Sequence, residues 1–209
     1  FRILNKIRQE HKDLKQIITD FEIDGIISDN RYGMFNKKIP SIFITHQVNI
    51  QSPIFSKLIR KINLWFINKY QECWIPDTEQ NILSGNLSKL KTENNKFKFI
   101  GPLSRFEKLK VTKKIDILAI VSGPEPQRFI FENLLKKQLI KSEKNCILVL
   151  GKTESDKKEN IGNLTILNHL PSKELNQAIS NSEIVISRSG YSTIMDLAAL
   201  DKKAIFIPT

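Results

Sequence analysis

Cysteine is scarce: Cys73 and Cys146 are the only two in 209 residues. They lie too far apart for a CxxC clip, which excludes a disulfide scaffold and a thiolate metal knuckle. Each sits at the start of an apolar run and reads as a buried, reduced thiol, which suits a reducing compartment. Long apolar runs are missing as well. No stretch reaches the ~18 residues of a membrane span, and no signal-peptide pattern opens the chain. Three scattered histidines make no metal cage. HExxH, DxD, GxSxG, Walker and GxGxxG patterns are all absent, so no metal ion and no bound cofactor is expected. RNP-type aromatics, zinc-finger spacing and a KH-type loop are absent too, so nucleic acid is not an expected partner.

What is present is an ordinary globular composition with a basic balance. Lys and Arg number 33 against 22 Asp and Glu, a formal charge of +11. The excess is spread evenly over both halves, without a block long enough to be a nucleic-acid arm. Such a diffuse field suits anionic small molecules or an anionic membrane surface, and half of its weight goes to a Lys-rich compositional habit. The chain opens at Phe1 without Met and stops at Thr209 after an apolar run, so both ends are expected to be cut.

The first ~20 residues have helical spacing. Short apolar runs follow at Ile23–Ser28, Ser41–Thr45, Glu72–Ile75 and Lys96–Ile100, each closed by Gly, Ser, Asn or Pro. A longer pattern over Pro53–Lys69 reads as a helix, with Pro53 in its first turn. Residues 103–114 are polar and basic and read as a linker. Beyond them strand and helix alternate regularly. Strands are expected at Ile115–Val121, Asn145–Leu150, Leu164–Leu167, Glu183–Ser187 and Ala204–Ile207, with helices at Pro126–Leu139, Pro171–Ser180 and Tyr191–Leu200. Continuous β-branched runs fit strands buried on both faces of a parallel sheet. The expected fold class is therefore α/β, with two Rossmann-like parallel-sheet domains, each incomplete: 1–102 and 115–209, joined at 103–114.

Ligands of such sheets bind at the carboxyl ends of the strands, so the strand exits are the places to search. Arg188-Ser189-Gly190-Tyr191-Ser192-Thr193 joins a strand to a helix. Gly190 permits close backbone approach, Ser192 or Thr193 is placed to cap the helix, and the first turn suits a phosphate or pyrophosphate. A plain tight turn with an N-cap is the alternative. Ser122 and Gly123 lie at another strand exit, with Gln127 and Arg128 in the following helical turn, where a guanidinium suits a phosphate as well as it suits solvent. Asn168, His169 and Leu170 form a third exit, whose backbone suits a nucleobase. In the first half, Asp29 and His46 follow strands and are candidate general bases or acceptor contacts. An Asx-turn for Asp29 and a structural hydrogen bond for His46 are the competing readings.

These residues carry a resemblance. The segment IVISRSGYSTIMDLAALDKKAIFIP resembles the donor-site segment of GT-B glycosyltransferases of family 28, a family that includes enzymes of lipid-linked peptidoglycan precursor synthesis. IPSIFITHQVNIQSP is similar to the same family's strand and His-Glu-Gln-Asn loop, here His46-Gln47-Val48-Asn49, and KFIGPLSRF to its inter-domain crossing. The resemblance implies two Rossmann-like domains around a cleft, the second gripping a nucleoside-diphosphate sugar, usually UDP-linked, and the first presenting a sugar or lipid-linked acceptor. It places Ser189, Gly190, Ser192 and Thr193 at the diphosphate, Ser122 and Gly123 at a second phosphate-facing loop, and 168–170 near the nucleobase. Ser122-Gly123-Pro124-Glu125-Pro126 departs from the family's usual Gly-Gly-Ser-type loop. Its Gly-rich acceptor loop and its later ribose and sugar contacts fall outside the chain, so the fragment alone is expected to be inactive.

The expected activity is glycosyl transfer from a nucleoside-diphosphate sugar to an acceptor hydroxyl, inverting and metal-independent. Alternatives are a nucleotide-sugar hydrolase or 2-epimerase, and a non-catalytic nucleotide-sugar-binding subunit. The expected location is cytoplasmic, at the inner face of a membrane. Ile54, Phe55, Leu58, Ile59, Ile62, Trp65 and Phe66 recur at three- and four-residue steps beside Lys57, Arg60, Lys61 and Lys69. That stripe either packs on the sheet or makes peripheral contact with an anionic membrane.

Overall fold

The computed structural model describes residues 2–80, 82–90, 94–111 and 115–208. The chain forms two compact units, Phe1–Pro102 and Leu103–Thr209.

The first unit opens with α1 (Arg2–Phe21), then β1 (Ile26–Asp29), β2 (Ser41–Ile44), α2 (Ser56–Ile67), β3 (Glu72–Ile75) and β4 (Phe97–Phe99). The strands form a parallel sheet in the order β1-β2-β3-β4. Phe43, Cys73, Ile75, Ile67 and Tyr70 build its core. Burial pushes the Cys73 thiol up to about 12, as befits an inert core thiol. Gly33 brings its loop against α1: a Cβ there would lie 2.4 Å from the Ile7 carbonyl oxygen. β1 begins three residues later than the apolar run suggested, because the ladder starts where the Ile26 amide meets the Pro40 carbonyl.

The second unit contains β5 (Ile115–Ile120), α3 (Gln127–Ile140), β6 (Cys146–Val149), β7 (Lys158–Ile161), β8 (Leu164–Leu167), α4 (Ser172–Asn181), β9 (Ser182–Arg188), α5 (Tyr191–Ala199) and β10 (Ala204–Ile207). Its sheet runs β10-β9-β5-β6-β8-β7 and is parallel except for β7. Leu118 and Ala119 on β5 face opposite sides. Ala119 joins Phe131, Leu135 and Leu148 under α3, while Leu118 joins Val185, Ile179 and Leu197 under α4 and α5. Both faces of the central strands are therefore dry, which accounts for their unbroken apolar runs.

Three expectations need correction. Pro126 and Pro171 stand at the N-cap, outside their helices. The polar strand β7, exposed throughout, went unread. Its signal was the Gly162-Asn163 turn, which leaves only two residues between Ile161 and its partner Leu164. Finally, α2 starts at Ser56, and its buried face is Asn63, Phe66 and Ile67 rather than the full apolar stripe. Asn63 is held inside by hydrogen bonds, donating to the Gln47 carbonyl at 2.8 Å and accepting from the Tyr32 hydroxyl at 2.6 Å.

The stretch before β5 is anchored to the second unit. Phe106 enters the core beneath α4 and α5, and Ser104 Oγ donates to Asp196 of α5 at 2.5 Å. Residues 112–114 of the expected linker lie outside the described residues.

The loop after β3 is built on one carboxylate. Asp77, 0 % exposed, accepts from the amides of Thr78 (2.7 Å), Leu83 (3.1 Å) and Ser84 (2.9 Å) and from the hydroxyls of Ser84 (2.5 Å) and Ser88 (2.8 Å). Burial alone would raise its pKa, but these donors outweigh it and hold the carboxyl below the ordinary 3.8. Asp77→Asn, which turns an NH2 toward these donors, is expected to cost about 2–3 kcal/mol at pH 7. A depressed folded pKa stabilises above the unfolded value, so the gap to wild type is full above pH 3.8 and closes as the pH falls through the folded pKa. Urea unfolding of both proteins across that range checks it.

Candidate functional site

In the second unit the chain steps from β5 outward to β6 and β8, then returns to the other side of β5 with β9 and β10. The reversal leaves a switch point between the carboxyl ends of β5 and β9, where open α/β sheets bind ligands. Ser122 and Gly123 leave β5 there, and Arg188, Ser189 and Gly190 leave β9. The register sets Ile120 beside Ser187, so both exits emerge side by side.

Arg188 lies across this opening. A Cβ on Gly123 would sit 2.2 Å from Arg188 Nη1, so the guanidinium rests against the glycine itself. Nη1 is buried and has no hydrogen-bond partner among the described residues. A buried cationic donor without an acceptor is costly, and an anion at the strand exits would satisfy it. Gly123 also has φ 102°, a conformation that suits glycine. Gly190 differs. Its φ of −68° and ψ of 135° are ordinary extended values, and a Cβ would meet only Thr193 Oγ1 at 3.8 Å.

Gly190 is the N-cap of α5, with no side-chain cap. Ser192 and Thr193 therefore do not cap the helix, as the sequence suggested; they occupy its first turn, where amides lack intrahelical acceptors. The Ser189 amide is committed to the Ile207 carbonyl at 3.0 Å. Arg128 is not an open clamp either. Its Nε and Nη2 both lie 2.8 Å from Glu125 Oε1, while Glu125 also accepts from the Phe129 amide. Gln127 is the first residue of α3 and exposed.

The third exit is partly tied down. The Asn168 amide donates to the Lys157 carbonyl, its carbonyl accepts from the Lys152 amide, and its side chain bonds Ser155. Leu170 packs on the core under α4, and His169 is half-buried. The neighbouring exit from β6 is pinned to α3 by Lys152, which pairs at 2.8 Å with the buried Glu132.

In the first unit, Asp29 ends β1 and His46 follows β2 by two residues, so adjacent strands bring both to the carboxyl edge of that sheet. Asp29 is exposed; His46 is half-buried, its Nε2 3.3 Å from the Gln47 amide nitrogen. Burial lowers the His46 pKa below 6.5, against the opposing pull of Asp29 and Asp77. Sequence reading missed Asp77, although an Asp directly after a strand and Pro was its signal. It also missed the Arg31–Glu10 pair at 3.2 Å, which fastens α1 to the exit of β1.

An open, mostly parallel sheet whose strand order reverses beside β5, with a glycine and an arginine at the switch point, defines an α/β unit of the Rossmann type. Residues 117–209 of that unit match the glycosyltransferase family 28 C-terminal domain. Over 207 residues the chain is 23% identical to the UDP-N-acetylglucosamine–N-acetylmuramyl-(pentapeptide) pyrophosphoryl-undecaprenol N-acetylglucosamine transferase of Campylobacter jejuni subsp. doylei. That match covers 94% of this chain and 54% of the relative, so the chain spans about half the relative's length. Among solved structures, the glycosyltransferase SnogD from Streptomyces nogalater superposes with a TM-score of 0.64 at 10% identity, covering 97% of this chain and 60% of that one. MurG of Acinetobacter baumannii gives 0.54 at 13%, covering 98% and 58%. The fold is that of GT-B glycosyltransferases, and the chain is a family-28-like piece of it.

The two glycines are expected to part in stability. Gly123→Ala places a side chain at φ 102° and displaces the arginine, costing about 1–3 kcal/mol. Gly190→Ala meets no such obstacle and stays within about 0.5 kcal/mol of wild type. Thermal unfolding of both variants is the measurement.

Proposed function

We propose that the full-length protein transfers a sugar from a nucleoside-diphosphate sugar, of the UDP class, to an acceptor hydroxyl, with inversion and without a metal ion. The observation that carries this reading is the buried Arg188 Nη1, lacking a partner and set against Gly123 at the β5/β9 switch point. A diphosphate there would accept from Arg188 and from the first-turn amides of α5, with the helix dipole adding to both. Charge accumulates on the diphosphate as the glycosidic bond breaks, so fixed donors stabilise departure more than the ground state. The relative from Campylobacter supports the donor and acceptor classes, since its name specifies a UDP sugar and a pyrophosphoryl-undecaprenol acceptor.

In this reading the second unit holds the donor through Ser122, Gly123, Arg188, Ser189, Gly190, Ser192 and Thr193. The 168–170 exit offers backbone groups to the base. The first unit serves the acceptor, with His46 or Asp29 taking the hydroxyl proton as the oxygen attacks the anomeric carbon opposite the leaving diphosphate. His46 is the better base on position, because burial keeps its imidazole neutral to lower pH than usual. The two products are the glycosylated acceptor and the nucleoside diphosphate, the proton residing on the base. A lipid-linked acceptor sets the reaction at the cytoplasmic face of a membrane, with peripheral contact. No helix among the described residues is long and apolar enough to cross one.

Calorimetry with UDP on the full-length protein tests the donor site. Arg188→Lys and Gly190→Val are expected to weaken UDP at least several-fold, about 1 kcal/mol or more, while remaining folded. Unchanged affinity in both would remove the diphosphate from this switch point. UDP binding with no transfer to any acceptor would favour the non-catalytic subunit instead.

Turnover is expected to persist in excess EDTA; loss with rescue by Mn²⁺ or Mg²⁺ would overturn the metal-independent mechanism. If His46 is the base, the acid limb of kcat/KM lies below pH 6.5 and disappears in His46→Gln, whose residual rate is flat through that limb.

A further inference from the structure

α2 turns Asn63, Phe66 and Ile67 inward, at the three- and four-residue steps of a buried stripe. An aliphatic residue would fill the first of these positions with no amide to desolvate. Asn63, 3 % exposed, stands there instead and directs its side chain at the loops after β1 and β2. Its Nδ2 donates to the Gln47 carbonyl at 2.8 Å and to the Val48 carbonyl at 3.2 Å. Carbonyls only accept, so the NH2 must face them, and Oδ1 is left to accept from the Tyr32 hydroxyl at 2.6 Å. Tyr32 is itself held, its ring centroid 5.4 Å from that of Phe43 and 4.9 Å from that of Phe66.

Gln47 and Val48 directly follow His46, and the same loop is fastened on its other sides. Thr45 Oγ1 accepts from the Gln47 amide at 3.0 Å and donates to Asn30 Oδ1 at 3.3 Å. The Asn49 amide donates to the Leu87 carbonyl at 2.8 Å, and its side chain to the Asn86 carbonyl at 3.0 Å. Ser84 and Ser88, which flank those two residues, are tied to Asp77. A buried amide adds little net stability over an apolar side chain of its size, but its hydrogen bonds fix direction where apolar packing does not.

We propose that Asn63, locked by Tyr32, is a positioning residue: it seats the Thr45–Asn49 loop so that the His46 imidazole meets the acceptor hydroxyl. The inference rests on the reading of His46 as the base, and it adds the residues that aim it.

The first test needs no substrate. His46 is followed in full-length protein labelled with 13C-histidine, its resonance assigned as the one lost in His46→Gln. Wild type is expected to titrate below 6.5, because burial lowers the imidazole pKa. In Asn63→Leu the loop leaves its seat and the ring gains water, so the midpoint is expected to rise toward 6.5. Tyr32→Phe, which keeps the ring in place, is expected to shift it in the same direction by less, and covers the case in which Asn63→Leu does not fold. Ile67→Val loosens the same core without touching the loop and is expected to leave the midpoint where it was. An unmoved midpoint in the Asn63 and Tyr32 variants, or an equal shift in Ile67→Val, would overturn the proposal.

Turnover with the donor and acceptor classes that the Campylobacter relative's name specifies gives the second readout. Asn63→Leu is expected to lower kcat about 30–100-fold with donor KM within about two-fold of wild type, the order of loss that ~1 Å of misplacement causes. In a His46→Gln background the same change is expected to lower kcat by less than about two-fold, because the base it aims is gone. Equal losses in both backgrounds would overturn the proposal and reduce Asn63 to a structural amide. His46→Gln that retains wild-type kcat would sink the base reading alone, and the titration then decides whether Asn63 holds the loop.

Discussion

The Arg188 guanidinium resting against Gly123 is the contact around which the second unit's ligand side is organised. It requires glycine at 123, since any side chain would occupy the space of Nη1. It also requires β9 to lie directly beside β5, which the crossover through β6, β8 and α4 achieves. That crossover in turn requires strands dry on both faces, with Leu118 and Ala119 serving opposite cores. Within that frame Arg188 Nη1 is buried without a hydrogen-bond partner among the described residues, which is the feature the proposed diphosphate site answers.

The first unit shows the same division between framework and exposed chemistry. Asp77 collects three amides and two hydroxyls and so fixes the loop after β3 without touching solvent. Its negative charge also reaches His46, opposing the effect of burial on the imidazole. Asn63 does comparable work beneath α2. By taking the inward position through hydrogen bonds to Gln47 and Tyr32, it rotates the neighbouring apolar residues outward. The outward apolar edge of α2 is thus a consequence of how one polar side chain is satisfied.

Much of this was legible before any coordinates. The unbroken runs IDILAIV and EIVIS required strands covered on both sides, and the glycine and hydroxyl residues just after them marked the two strand exits that the fold brings side by side. The helix from Tyr191 followed from the apolar spacing of Ile194, Leu197 and Ala198. Strand β7 was harder, because a fully exposed polar strand has no apolar alternation and announces itself only through the Gly162-Asn163 turn.

What sequence determined by itself was the α/β class and the positions of most strands and helices, because periodicity and turn residues are local properties of the chain. What only tertiary structure decided was which of those residues are available. Arg128 and Arg188 are equivalent on paper, each at a strand exit or first helical turn. In the fold, Arg128 is claimed by Glu125 on its own loop, while half-buried Arg188 sets Nη1 against Gly123, sixty-five residues away in sequence, and that nitrogen has no hydrogen-bond partner among the described residues. Whether an arginine meets a carboxylate or comes to rest against a glycine depends on neighbours brought together by strand order, and strand order is not a local property.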